Sequence, residues 1–253
     1  MADPHALFDL SGRVACVTGA SSGLGRQAAR ALAAAGARVI AVARRKEPLE
    51  ALCDEVGPQI SSVVADVAER NRIAALAETV SAPFGPPGIL VHAAGLNTRE
   101  AADDVTPEGW DATLEINLRA PFFLSQALVP AMKRVGWGRI VTFASLQTTR
   151  AFPGGVAYGA SKGGVAQLTR AMAEAWSRHG ILANAIGPGF FPTELTAPVF
   201  DDAERTKRNA AQTCIGRNGR LEDIDGPLLF LCSEAAAYVT GQVLMVDGGY
   251  TAK

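Results

Sequence analysis

The chain is poor in cysteine pairs, in aromatic residues and in any excess of charge. Its four cysteines, Cys16, Cys53, Cys214 and Cys232, are widely spaced and form no Cys-x-x-Cys motif, which argues against a disulfide framework or a zinc site. No metal is expected. Cys16 and Cys232 lie in apolar runs and read as small core residues. Lysine and arginine total 24 against 25 acidic residues, so nothing in the charge balance draws the chain to nucleic acid or to an anionic membrane. No apolar run reaches the roughly 18 residues of a membrane helix. Residues Met1–Phe8 lack the basic start and apolar stretch of a secretory leader. A cytoplasmic location is the default expectation.

What the chain does contain is an almost unbroken alternation of short apolar runs and helical stretches. Its 253 residues are 48% hydrophobic, enough for one core without staples. Strands are expected at Val14–Thr18, Arg38–Ala43, Ile60–Ala65, Ile89–Ala93, Arg139–Phe143, Ile181–Ala185 and Val243–Val246. Helices are expected at Leu24–Ala35, Pro48–Val56, Glu69–Val80, Pro107–Arg134 (bent near Pro121), Ala157–Arg178 and Glu222–Cys232. This pattern predicts an α/β fold: a Rossmann-type, doubly wound, parallel seven-stranded sheet with helices on both faces, one domain over 1–253. The least regular part, 188–220, is loop-rich and reads as a substrate lid.

The first strand runs into Thr18-Gly19-Ala20-Ser21-Ser22-Gly23-Leu24-Gly25, and a helix follows. Glycine lets a phosphate come close to the main chain, and free N–H groups at a helix start can bind a pyrophosphate. A bare glycine cluster also fits a structural turn; its place between strand and helix favours the ligand. The end of the second strand separates the two nicotinamide dinucleotides. An NAD site usually carries an acidic side chain there. This chain has Ala43, then Arg44 and Arg45. A guanidinium binds a 2′-phosphate by paired, charge-assisted bonds, whereas a carboxylate repels it. NADP(H) is therefore expected in preference to NAD(H). The other reading of Arg44 and Arg45 is a solvated surface pair, and Glu47 is the rival acidic residue.

Chemistry is expected at Ser145, Tyr158 and Lys162. Tyr158 and Lys162 stand at i and i+4, on one face of a helix, and Ser145 follows a strand on the side where this fold places ligands. Reducing a carbonyl needs a proton donor beside its oxygen. A neighbouring ammonium lowers a phenol's pKa and so suits it to the reverse reaction. A serine hydroxyl can hold the carbonyl oxygen.

Thr-Gly-x-x-x-Gly-x-Gly with Tyr158-Gly159-Ala160-Ser161-Lys162 resembles the short-chain dehydrogenase/reductase family, in particular its 3-oxoacyl-carrier-protein reductases and gluconate or polyol dehydrogenases. The resemblance covers nearly all residues after about Asp9. It implies that Gly19, Ser21, Ser22, Gly23, Leu24 and Gly25 hold the dinucleotide phosphates. Asp66, which would also serve as a helix cap, accepts from the adenine amino group, with Val67, Ala93, Ala94 and Gly95 along the same groove. Pro188, Gly189, Phe191 and Thr193 belong to the segment that meets the nicotinamide carboxamide. Tyr158 and Lys162 touch both cofactor and chemistry. Asn117 disturbs its helix and holds a water linking the lysine to solvent, or is a satisfied buried amide. The family's Asn-Asn-Ala-Gly is here His92-Ala93-Ala94-Gly95, so those asparagine contacts do not carry over; His92 reads as a packed strand-end residue. Polar substrate contacts are expected from Gln147, Thr148, Arg150 and Glu194, and others from Leu96–Glu100. The partners implied are a small carbonyl or alcohol substrate and copies of the same chain, as a homotetramer. A dinucleotide-sensing protein without turnover is the rival; survival of Asn117, Ser145, Tyr158 and Lys162 together speaks against it.

Overall fold

The computed structural model describes residues 6–253; the first five residues of the stretch read above for a leader lie outside them. Seven strands form a single parallel sheet: β1 (Val14–Thr18), β2 (Arg38–Ala43), β3 (Ile60–Val64), β4 (Ile89–His92), β5 (Gly138–Phe143), β6 (Ile181–Pro188) and β7 (Val243–Val246). Their spatial order is β3-β2-β1-β4-β5-β6-β7. The chain leaves β1 toward one edge, returns to place β4 on β1's other side, and then proceeds to the opposite edge. The crevice at that reversal, outside the carboxyl ends of β1 and β4, is where such sheets bind ligands.

Burial on both faces explains why the strands read as continuous apolar runs. Side chains alternate between two layers. Ala15, Val17, Val39, Ala41, Ile89, Val91 and Val141 face one cluster with Leu32, Leu49, Leu228 and Leu231. Cys16, Ile40, Leu90 and Ile140 face the other with Leu76, Leu124, Met132 and Met172. The first layer carries α1 (Gly23–Ala34), α2 (Lys46–Val56) and, later in the chain, a helix at Asp225–Cys232; the second carries α3 (Ile73–Ser81) and two long helices. In α1, Ala28, Ala29 and Ala33 are buried, and their small size lets the helix lie close to the sheet.

The long stretch from Pro107 differs from expectation. It is α4 (Pro107–Leu114), a π-helical turn (Glu115–Arg119) and α5 (Ala120–Val135). Pro121 has no N–H for the carbonyl four residues back, at Asn117. The helix widens just ahead of the proline. After β5 comes α6 (Val156–Trp176). Residues 188–220 are less irregular than their composition implied. They hold α7 (Ala197–Phe200) and α8 (Ala203–Gln212), the latter capped by Asp202, whose Oδ1 accepts from Arg205 N at 2.9 Å. The expected helix from Glu222 begins as a 3-10 turn at Leu221–Ile224 and becomes α9 (Asp225–Cys232). No helix among the described residues is long and apolar enough to cross a membrane.

Candidate active site

The strand ends set one rim. Register pairs Thr18 with Val42 and His92, Val91 with Val141, and Phe143 with Ile186. The residues just beyond these ends line a cleft of about 570 Å³. Gly19 has φ +71°, and a Cβ there would lie 2.6 Å from the Ala94 amide nitrogen; glycine is required by both conformation and contact. At Gly23, φ +52°, a Cβ would press on Thr193 Cγ2 at 3.0 Å. Ser22 is the N-cap residue of α1, but its hydroxyl makes no cap bond; it donates to Glu194 Oε2 at 2.9 Å. The N-terminal amides of α1 are left to face the cleft.

At the end of β2, buried Ala43 is followed by exposed Arg44 and Arg45. Arg44 NH1 lies 3.7 Å from Asp66 Oδ2, while Asp66 Oδ1 accepts from the Ala68 amide at 2.9 Å. Arg45 grips Glu194 with both guanidinium nitrogens (3.0 and 2.8 Å) and reaches the Ser21 and Ser22 hydroxyls at 3.0 Å each. Glu47 sits in the first turn of α2 and does not line the cleft. Glycine cradle, uncapped helix start and paired guanidiniums together fit a dinucleotide carrying a 2′-phosphate.

Tyr158 and Lys162 project from the first two turns of α6 toward Ser145, which follows β5. The Lys162 ammonium is buried, donates to the Phe143 carbonyl at 2.7 Å and lies 5.5 Å from the Tyr158 ring centre. Burial pushes it down to about 8. Burial also raises the Tyr158 phenol above its ordinary value, while the Ser145 hydroxyl and the positive charge of Arg99 pull it back. Asn117, in the π turn, is held by its side chain: Nδ2 donates to the Leu96 carbonyl (2.8 Å) and to Ser161 Oγ (2.9 Å), and Oδ1 accepts from Leu96 N (2.8 Å). Ser161 in turn donates to the Tyr158 carbonyl at 2.7 Å. Asn117 thus fixes the level of α6 against the β4 loop.

Tyr158 is shared with a second cavity of about 130 Å³. Its polar wall is Asn97, Arg99, Ser145, Gln147 and Arg205; Phe152, Phe190, Phe191 and Leu195 supply the apolar one. No carboxylate lines it. Arg99 has φ +58°, the one non-glycine residue with positive φ among those described, and its guanidinium donates to the Leu195 carbonyl at 2.5 Å.

A family model described as enoyl-(acyl carrier protein) reductase matches residues 19–251. Gluconate 5-dehydrogenase of Gluconobacter oxydans is 39% identical over 97% of this chain and 97% of its own. The 3-oxoacyl-[acyl-carrier-protein] reductase of Escherichia coli is 35% identical over 96% and 98%. The crystal structure of a gluconate 5-dehydrogenase from Burkholderia cenocepacia, in complex with NADP and tartrate, superposes with a TM-score of 0.94 at 36% identity, covering 99% of this chain and 100% of that one. The chain belongs to the short-chain dehydrogenase/reductase family. It is an oxidoreductase acting on CH–OH and C=O groups.

As a short-chain dehydrogenase/reductase, the chain gathers most of its expected site residues on the rim. Gly19, Ser21–Gly25, Arg44, Arg45, Asp66, Val67, Ala93–Gly95, Tyr158, Lys162, Pro188 and Thr193 all line the large cleft. Gly189 and Phe191, expected on the cofactor, line the second cavity instead, and Asn117 lines neither. Glu194, expected on the substrate, lines the large cleft against Arg45. Thr148 and Arg150 turn away: Thr148 Oγ1 accepts from Ser145 N, and Arg150 donates to the Lys253 carbonyl. His92 is buried, with Nε2 2.9 Å from Ser125 Oγ, and burial pushes its imidazole down to about 4; it is a packed residue, as read. The grip of Glu194 on Arg45 escaped the sequence reading, whereas Arg99 falls within the expected Leu96–Glu100 and lines the second cavity. Glu194 follows Thr193 directly, but its partner Arg45 is distant in sequence; the left-handed backbone of Arg99 leaves no compositional trace.

Proposed function

We propose that the protein is an NADP(H)-dependent dehydrogenase or reductase with Tyr158 as general acid and base. The observation that carries this is the position of Tyr158, the titratable side chain that lines both the cleft with the glycine cradle and the small second cavity. The dinucleotide, when bound, supplies or accepts the hydride at a carbonyl or secondary alcohol carbon. The chain's own residues manage the proton and the oxygen. Ser145 holds the substrate oxygen. Tyr158 gives its phenolic proton to that oxygen in reduction and takes one from the alcohol in oxidation. The Lys162 ammonium and the Arg99 guanidinium favour the phenolate that oxidation needs. Arg44 and Arg45 take the 2′-phosphate and set the preference for NADP(H).

The second cavity favours an anionic, polyhydroxylated substrate such as a sugar acid or its keto form. Two guanidiniums, two amides and no carboxylate suit a carboxylate and hydroxyl groups. The names of the Gluconobacter and Burkholderia relatives support this choice, as does the tartrate in the latter. Residues 188–220 close over the two ligands as a lid. The enzyme works in the cytoplasm as a homotetramer; exposed apolar side chains such as Val135, Val156 and Ile215 offer surface for such contacts.

The test is the change in nicotinamide absorbance with NADPH or NADH and a panel of keto-aldonates, ketoses and β-ketoesters, with light scattering for the assembly. Turnover led by the keto-aldonates with NADPH is expected. Equal use of all three classes would remove the anionic reading, and binding of NADPH without any turnover would remove the enzymatic one.

A further inference from the structure

The grip of Glu194 on Arg45 bears on cofactor choice. Glu194 opens the short turn Glu194–Thr196, whose backbone is fixed by Thr193 and Thr196: Thr193 N donates to Thr196 Oγ1 at 3.0 Å, and the two hydroxyls lie 2.9 Å apart. Thr193 also rests on Gly23. The carboxylate is therefore delivered to the glycine turn from a pinned main chain. There it takes both guanidinium nitrogens of Arg45 and the Ser22 hydroxyl. Arg45 holds the Glu194 carboxyl below the usual carboxylate range, so the group is ionised at neutral pH.

A guanidinium fork serves one bidentate anion at a time. We propose that Glu194 is a specificity-determining residue that competes with the 2′-phosphate for Arg45 and so restrains the enzyme's preference for NADP(H) over NAD(H). The inference rests on the reading of Arg45 as a 2′-phosphate ligand. When the phosphate takes Arg45, Glu194 loses its cation and faces a second anion; when the cofactor has no 2′-phosphate, the Glu194–Arg45 pair stays whole. The carboxylate thus supplies, in the absence of a 2′-phosphate, the negative partner that Arg45 would otherwise lack. It also ties the 188–220 segment to the glycine turn through the same bonds.

Binding of NADP+ and of NAD+ to the purified protein, measured by titration calorimetry, tests this with Glu194→Gln, Arg45→Gln and the double variant. Arg45 and Glu194 are about half exposed, at 48% and 61%, so the effect has the size of an exposed ion pair. Glu194→Gln is expected to tighten NADP+ by about three- to fivefold and to leave NAD+ unchanged or weaker. The gain should shrink as salt is raised and disappear in the Arg45→Gln background. An unchanged NADP+ affinity, or equal tightening of both dinucleotides, overturns the proposal while selective loss of NADP+ in Arg45→Gln keeps the cofactor reading intact. Arg45→Gln binding both dinucleotides as the wild type does overturns the role of Arg45 and the proposal with it.

Discussion

The two rims of the sheet use the same residue types to opposite ends. At the amino rim, Arg139 is 3% exposed and fully engaged: its nitrogens reach the Ser233 carbonyl (3.1 Å), the Gly138 carbonyl (2.9 Å) and Glu234 (3.2 Å). Glu234 also accepts from Trp137 Nε1 at 2.6 Å, and Arg13 lies over the Trp137 ring. Every donor there answers another protein group. At the carboxyl rim, buried Lys162 has one backbone acceptor and no ion pair among the described residues, and Tyr158 opens onto two cavities. A buried cation whose partners are all protein holds the fold together. One left without a carboxylate is poised for a ligand.

Four substitutions can break or sharpen this contrast. Tyr158→Phe should lower kcat by about a thousandfold with dinucleotide affinity and melting temperature unchanged; a stability loss in place of the catalytic one would put Tyr158 with the amino rim. Arg139→Met should do the reverse, lowering the unfolding free energy by about 3 kcal/mol while room-temperature kcat/KM holds, as read by urea unfolding and steady-state kinetics. His92, at the carboxyl end of β4, gives a pH signature. Below its ordinary pKa of 6.5 the unfolded chain takes up a proton there, whereas the folded chain does not until about 4. Stability should therefore fall as pH drops through that window, by about 3 kcal/mol from this residue. His92→Asn should flatten the profile of urea midpoints, and an unaltered slope would assign the acid loss elsewhere. The smallest effect is expected from Ala43→Asp. A carboxylate beside Arg44 should raise KM for NADPH about tenfold, or about 1.4 kcal/mol, and lower that for NADH; equal changes in both would detach Ala43 from cofactor choice.

Much of this arrangement was legible in the residues. Strands buried on both faces read as apolar runs, and the cleft residues lie within a position or two of the strand ends, so locating strands located the rim. Tyr158 and Lys162 share a face by helical periodicity alone. What stayed hidden depends on contacts that sequence spacing does not encode. Helix α8 buries only Asn209, which leaves no apolar stripe, and its Asp202 cap was submerged in a polar segment. The π turn follows from Pro121, but its position ahead of the proline depends on where Asn117 is anchored. Arg45 and Glu194 meet only because the segment after β6 returns to the turn that follows β1, a contact that spacing along the chain does not announce.

The close seat of Gly19 against the Ala94 amide has a consequence for the order in which the molecule assembles. The glycine turn is complete once β1 and α1 exist, early in the chain, but the wall it leans on arrives only with β4, after two further strands and two further helices have been made. A chain halted before β4 carries every phosphate-binding amide and has no cleft. The dinucleotide therefore recognises only the chain whose long-range β1–β4 closure has taken place, and by mass action it stabilises that state against all earlier ones. Cofactor supply becomes a determinant of how much of the newly made protein survives to act.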